Sequence, residues 1–117
     1  MVEVHKPFNI HIGSSEVLTI KINGKNLYCF SDLGDAFGIQ TRSRFIQLRM
    51  KILERAGGIR SYPIKGCNKN VRMISITDFK ELISNAMPDE IKEGNFSQDQ
   101  AKKILDSIDK YLSELIA

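Results

Sequence analysis

The stretch SDLGDAFGIQTRSRFIQLRMKILERAGG, residues 31–58, decides the fold class because the spacing of apolar side chains changes where it begins. Apolar residues alternate with polar ones before it and recur every three or four positions within it, which is the spacing of a helix. Ser31 is the predicted cap of a first short helix, and Gly38 is its predicted end. A second helix is predicted over residues 41–56, capped by Thr41 and ended by the glycine pair that follows it.

The second predicted helix has a broad apolar arc that can contact two neighbouring elements. Arg42 and Arg49 fall inside this arc, where an unpaired buried guanidinium would be very costly. A buried Arg49 should therefore pair with Asp32 or Asp35; alternatively, its head group reaches solvent past the apolar surface. One side of the arc carries Phe45, Leu48 and Ile52, and the other carries Ile46, Met50 and Leu53.

The residues before this helix pair predict an antiparallel β meander. Segments 8–13 and 16–22 have apolar residues at alternate positions, as half-buried strands do. The sequence Asn23-Gly24-Lys25 supplies the positive-φ residue that a tight hairpin needs, and residues 27–30 follow as a third strand.

The residues after the helix pair predict a second hairpin. Segments 59–65 and 71–76 flank a loop that is rich in turn-forming residues. Pro63 cannot donate a hydrogen bond to a ladder, which places its strand at a sheet edge or on a bulge. A hairpin directly after two helices resembles a wing, so the helix pair is predicted to be helix-turn-helix-like.

A third helix is predicted over residues 77–86, with Thr77 as its cap and Pro88 as its stop. Residues 89–96 carry Gly94 and several charges and predict a connector. The whole pattern predicts an α+β protein with an N-terminal antiparallel meander, a helix pair, a β-hairpin wing and C-terminal amphipathic helices.

The last predicted helix begins after a capping box formed by Ser97 and Gln100. Residues 1–96 are predicted to form one domain, and the amphipathic helix over residues 97–117 either packs on that domain or associates with a second copy. A homo-oligomer is expected from the long apolar stripe in a small chain. The candidate self-association residues are Ile104, Leu105, Ile108, Leu112 and Leu115.

Length and composition restrict the class of protein. The chain has 117 residues, of which 42% are hydrophobic and 26% are charged, which fits one globular domain and excludes a large enzyme scaffold. No apolar run approaches the roughly 18 residues of a membrane span, and the N-terminus lacks the apolar core of a secretory signal. A cytoplasmic protein without membrane contact is expected, with Cys29 and Cys67 as reduced thiols.

The basic residues are concentrated in one part of the chain. Residues 41–72 contain nine basic residues and one acidic residue, a balance of +8, whereas the remainder has eight basic and thirteen acidic residues, a balance of −5. Such asymmetry suits a polyanion or an acidic protein surface, although a solvated charged face gives the same pattern. Strand alternation predicts Arg60, Tyr62 and Arg72 on one face of the hairpin. The candidate nucleic-acid or partner-binding residues are Arg42, Arg44, Lys51, Arg55, Arg60, Tyr62, Lys65, Lys69 and Arg72.

No constellation of residues predicts catalysis. His5 and His11 are better explained as structural or surface residues than as metal ligands, and Asp32 with Asp35 suits the start of a helix rather than an acid–base pair. Neither glycine-containing turn has the remaining residues of a phosphate-binding loop. We therefore expect no enzyme activity, no metal, no cofactor and no small-molecule substrate.

Several short motifs occur in the order that is typical of phage regulatory proteins. They are NGKNLY (residues 23–28), SDLGDAFGI (31–39), the basic helix carrying Arg44, Phe45, Leu48 and Lys51, RMISI (72–76) and AMP (86–88). In this order and spacing the chain resembles the phage antirepressor N-terminal domain family over about residues 8–115.

The resemblance implies a non-enzymatic regulator in the cytoplasm of a phage host cell. Such a protein would disable a phage repressor by binding the repressor protein or its operator complex. The alternative is a winged helix-turn-helix-like transcription regulator that binds duplex DNA directly. The basic segment is compatible with both partners.

Overall fold

An antiparallel sheet packed with helices forms the fold in the computed structural model, which describes residues 4–116. Within these residues the chain has five strands and four helices, so it is a mixed α+β protein, as the sequence predicts. The strands are β1 (Phe8–Ile12), β2 (Ser15–Ile22), β3 (Lys25–Cys29), β4 (Ile59–Tyr62) and β5 (Val71–Ile74), in the spatial order β1-β2-β3-β5-β4. The helices are α1 (Phe30–Ala36), α2 (Arg44–Arg55), α3 (Ile76–Lys92) and α4 (Gln98–Ile116).

The predicted N-terminal meander is confirmed. Strand β1 pairs with β2, and β2 pairs with β3, both in antiparallel register. The turn between β2 and β3 has Asn23 at φ 52° and Gly24 at φ 79°, the left-handed backbone that these two residue types tolerate best. This local signal is sufficient to fix the first half of the sheet.

The second hairpin joins the same sheet, because β5 pairs with β3 through Tyr28 opposite Ile74. Strand β4 forms the far edge, and Pro63 follows its last residue, as predicted for a residue that cannot donate. In the observed register Ser61 lies opposite Arg72. Directly opposed residues share a face, so Arg72 and Arg60 lie on opposite faces, and the prediction that they share one is wrong.

The two central helices end as predicted but begin differently. Ser31 lies inside α1 rather than capping it, and the thiol of Cys29 lies 3.3 Å from the Ser31 hydroxyl. Helix α2 begins at Arg44, so Thr41 is not its cap. The Thr41 methyl group packs onto Gly34, where a Cβ would lie 2.3 Å from it, and this close contact holds residues 41–43 in a turn.

Helix α3 is longer than predicted. Its cap is Ser75, whose hydroxyl accepts a hydrogen bond from the Asp78 amide at 3.2 Å, rather than Thr77. The helix also continues through Pro88 to Lys92, so the predicted stop is wrong. Proline removes one backbone hydrogen bond, and the buried residues Met87 and Glu90 on either side keep this last part packed.

Helix α4 begins as predicted. The Gln100 amide donates to the Ser97 hydroxyl at 3.1 Å, and the Ser97 amide donates to the Gln100 side chain at 2.8 Å, which is a reciprocal capping box. The Lys80 ammonium on α3 forms an ion pair with Asp109 on α4. The division into residues 1–96 and 97–117 stays a prediction.

Each face of the sheet has its own apolar cluster. The larger cluster, between the sheet and the helices, includes Leu33, Ile46, Ile74 and Phe79, all at most 2% exposed. The smaller cluster on the other face consists of Ile20, Cys29, Ile64 and Met73. In residues 4–116 none of the helices combines the length and the apolar character that crossing a membrane requires.

Candidate binding surfaces around helix α2

Helix α2 leaves part of its apolar arc exposed. Ile46 and Met50 are each 2% exposed, because they pack on the core below the helix. Leu48 and Ile52, which belong to the other side, are 55% and 53% exposed, although Phe45 on that side packs against the core. Two of the six residues of the predicted apolar arc are therefore open to solvent.

The exposed side of α2 combines apolar and basic residues. We call the surface formed by Arg44, Leu48, Lys51, Ile52 and Arg55 the outer α2 face; all five residues are exposed. At about 1.5 Å of rise per residue it extends for about 17 Å along the helix. Positions three, four and seven residues apart share one helix face, so the two aliphatic side chains lie beside the three cations.

The cations near this face are only weakly compensated. The Arg44 guanidinium lies 3.4 Å from the Glu93 carboxylate and 4.8 Å from the centre of the Phe45 ring. Arg72 on β5 lies 3.3 Å from Glu54 on α2. Both ion pairs are between exposed side chains, where such pairs contribute little to stability and exchange readily for another partner.

Arg49 is not paired as the sequence suggested. It is half-buried beside α3, where it lines a groove of about 140 Å³ together with Asp78 and Glu81. In the described residues it forms no ion pair with Asp32 or Asp35, and because it is not fully buried, the condition under which that pairing was predicted is not met. The Asp32 carboxylate instead accepts a hydrogen bond from the Leu18 amide at 3.0 Å and ties α1 to β2.

A second surface lies where the turn before α2 meets the β4–β5 hairpin. Arg42 and Arg72 both line a cleft of about 450 Å³, which we call the Arg42–Arg72 cleft. Its other polar lining includes Ser31, Ser61 and Asn70. Sequence reasoning found the two arginines from their charge and missed these three neutral residues, because isolated Ser and Asn residues carry no distinguishing pattern.

Cys29 is another residue of the cleft lining, although its side chain belongs to the smaller cluster on the other face of the sheet. Burial raises its pKa above the usual 9.0, so Cys29 is held as the neutral thiol. Cys67, in contrast, is exposed in the β4–β5 loop.

The remaining predicted contact residues lie elsewhere on the hairpin. Arg60 and Tyr62 are on the sheet face opposite the helices, and the Tyr62 ring is half-buried edge-on to His5 at 5.3 Å. Lys65 and Lys69 are exposed in the loop between β4 and β5. The nine candidate residues therefore divide among four places. These are the outer α2 face, the Arg42–Arg72 cleft, the sheet face away from the helices and the β4–β5 loop.

A buried carboxylate positions the start of α2. Glu90 on α3 is 2% exposed and accepts hydrogen bonds from the Ser43 hydroxyl and, at 2.8 Å, from the Asn95 amide. Ser43 occupies the N-cap position of α2, but its hydroxyl contacts Glu90 and makes no capping hydrogen bond. These residues line a cleft of about 590 Å³ at the beginning of α2.

Most of the candidate self-association residues on α4 contact the chain's own core. Ile108 is fully buried, whereas Leu115 is 47% exposed. The other three, Ile104, Leu105 and Leu112, are partly buried against the larger cluster. The Tyr111 ring packs edge-on to Tyr28 at 6.5 Å.

The last two findings concern metal ligands and similarity to known proteins. Among residues 4–116, no three His, Cys, Asp or Glu side chains are grouped closely enough to share a metal ion. No protein-family model matches the chain, and neither a curated protein nor a solved structure matches it significantly.

Proposed function

We propose that this protein is a phage-type antirepressor-like regulator that binds a repressor protein, or its operator complex, through the outer α2 face. It acts in the cytoplasm of the host cell and catalyses no reaction. The observation that carries the proposal is the exposure of Leu48 and Ile52, each more than half open to solvent beside three cations. The antirepressor assignment itself rests on the order of the short sequence motifs.

The composition of the outer α2 face favours a protein partner. Adjacent exposed aliphatic side chains mark protein contact surfaces, and arginine is enriched in such interfaces. A complementary partner surface would be apolar at its centre and acidic at its rim. Leu48 and Ile52 would then be the buried centre, and Arg44, Lys51 and Arg55 would select an acidic surround.

The test is a reporter assay with the repressor that is encoded in the same genome. The unchanged protein should relieve repression and co-purify with the repressor, and Leu48→Glu should abolish both effects. Val4→Glu is the matched control, since Val4 is also an exposed aliphatic residue at 57%. Full derepression by Leu48→Glu, or no co-purification of the unchanged protein, would overturn the proposal.

A second candidate function is direct binding of duplex DNA by a winged helix-turn-helix-like arrangement. It is favoured by the concentration of positive charge between residues 41 and 72, with Lys65 and Lys69 in the exposed wing-like loop. Here α1 and α2 would be the helix pair, and α2 would contact the major groove.

The two candidates differ in their salt dependence. If DNA is the partner, binding to a random-sequence duplex, followed by fluorescence anisotropy, weakens linearly with the logarithm of salt concentration. Arg44→Glu with Lys51→Glu should then lower the slope by about one unit for each lost phosphate contact. An absence of duplex binding at low salt would eliminate this candidate.

A further inference from the structure

We propose that the Arg42–Arg72 cleft is a binding site for a phosphate group, carried by a nucleotide or by a nucleic-acid backbone. The proposal does not depend on the outer α2 face, because Leu48, Lys51, Ile52 and Arg55 are not part of the cleft lining. It adds a second, chemically distinct site to a protein proposed to bind another protein.

The charge of the cleft is the first argument. Five clefts in the described part of the chain can be compared by the ionisable side chains that line them. The Arg42–Arg72 cleft has two guanidinium groups and no carboxylate in its lining. Each of the other four clefts has at least one carboxylate in its lining. Glu90, Asp106, Asp78 and Glu114 each line a different one of these four clefts. This cleft is therefore the one of the five that is selective for an anion.

The neutral side chains of the cleft supply the hydrogen bonds that a phosphate needs. Ser31 and Ser61 offer hydroxyl groups, and Asn70 offers an amide, beside the two guanidinium groups. Guanidinium groups bind phosphate oxygens in pairs, and these charge-assisted hydrogen bonds are about twice as strong as neutral ones. The donors come from α1, β4 and the end of the loop before β5, so they surround the cleft rather than forming one stripe.

The size and the floor of the cleft indicate a ligand larger than free phosphate. A volume of about 450 Å³ is within the range of small-molecule sites, which is about 300–1,000 Å³. Phe30 and Met50, which are 4% and 2% exposed, form the apolar floor of the cleft. A sugar or base attached to the phosphate would lie above this floor.

The backbone that carries Arg42 is held in place before any ligand binds. Arg72 forms an exposed ion pair with Glu54 at 3.3 Å, from outside the cleft lining, and a phosphate oxygen can replace this partner. Arg42 lies in the turn that Thr41 fixes against Gly34, and the Gln47 amide donates to the Thr41 carbonyl at 2.6 Å. Such preorganisation lowers the entropy cost of binding.

The test is a calorimetric titration of the full chain with adenosine 5′-monophosphate, adenosine, inorganic phosphate and a short single-stranded oligonucleotide. Saturable binding of the monophosphate or the oligonucleotide, but not of adenosine, is expected. Arg42→Gln and Arg72→Gln should each weaken binding about tenfold or more, since each removes a charged hydrogen-bond donor. Tighter binding of the oligonucleotide than of the monophosphate identifies a backbone as the source, and the reverse identifies a free nucleotide.

The control is Lys103→Gln, which removes an exposed cation that lies outside both the cleft lining and the outer α2 face. It should leave the affinity unchanged. Equal weakening by Lys103→Gln would show general charge attraction and overturn the proposal, as would equal binding of adenosine or no saturable binding of any phosphate probe. Thermal melts of the variants verify that the fold is intact.

Discussion

At the scale of single residues, Glu90 shows how a buried charge can organise a surface. Its carboxylate joins Ser43, which precedes α2, to Asn95, which follows α3. Buried carboxylates are tolerated when their oxygens accept hydrogen bonds, as both oxygens of Glu90 do. The direction in which α2 leaves the preceding turn therefore depends on a residue of a different helix.

Replacing Glu90 should destabilise the fold more than its place in a helix suggests. Glu90→Ala leaves the Ser43 hydroxyl and the Asn95 amide without their acceptor and opens a cavity, at a cost of about 2–4 kcal/mol in the free energy of unfolding. Urea denaturation measures this loss. Glu93→Ala is the control, because Glu93 is exposed nearby and its ion pair contributes little. Equal losses in the two variants would contradict this role for Glu90.

Tyr111 should make stability depend on alkaline pH. Burial and the neighbouring Tyr28 hydroxyl raise the pKa of the Tyr111 phenol above its usual value of 10.0. A group whose pKa is raised on folding contributes its full stabilisation below the unfolded pKa and loses it as the pH rises further. The free energy of unfolding should therefore fall above about pH 10, and less steeply in Tyr111→Phe. Parallel pH profiles for the two proteins would contradict this assignment.

At the scale of elements, the sequence correctly predicted those turns and helix ends that depend only on neighbouring residues. The Asn23-Gly24 turn and the Ser97–Gln100 capping box depend on neighbouring residues, and both were predicted. The start of α2 was not, because it depends on the contact between Thr41 and Gly34. The hairpin register was also missed, since the β3–β5 pairing that fixes it joins distant parts of the chain.

The candidate surfaces were predictable to the same extent. Charge singled out Arg44 and Lys51, which are exposed; Arg42 is exposed as well, although the helical pattern placed it inside the apolar arc. The exposure of Leu48 and Ile52 could not be predicted, because apolar residues at helical spacing look the same whether or not another element covers them. Neutral cleft residues likewise become recognisable only when the fold brings them together.

The contact between α1 and the turn before α2 should be sensitive to one methyl group. Gly34→Ala places a Cβ 2.3 Å from the Thr41 side chain and 3.0 Å from the Ile39 carbonyl oxygen. Overpacking of this kind costs about 1–3 kcal/mol in the free energy of unfolding. Asp35→Ala, at an exposed position of the same helix, should cost much less. A melting temperature unchanged by Gly34→Ala would show that the turn can move freely.

At the scale of the whole molecule, the position of α4 changes how self-association must be tested. Its residue Ile108 is needed inside the chain's own core, so a change there would unfold the protein. Leu115 is exposed and can be changed safely. The prediction of a homo-oligomer therefore depends on this end of the helix.

Sedimentation at high protein concentration should reveal a weak oligomer that Leu115→Glu dissociates, because a charge on an apolar contact opposes association. Val4→Glu, at another exposed aliphatic residue, should leave the oligomer intact. A strict monomer of 13.3 kDa for the unchanged protein would contradict the prediction.

The strand order also affects how the chain folds as it is synthesised. Strand β3 finds its second neighbour only in β5, where Tyr28 pairs with Ile74. While a ribosome is still translating the residues between them, the nascent meander exposes the edge of β3 and much of the surface that the helices later cover. Until residue 74 has left the exit tunnel, this unpaired edge is the part of the nascent chain most prone to aggregation and most in need of a chaperone.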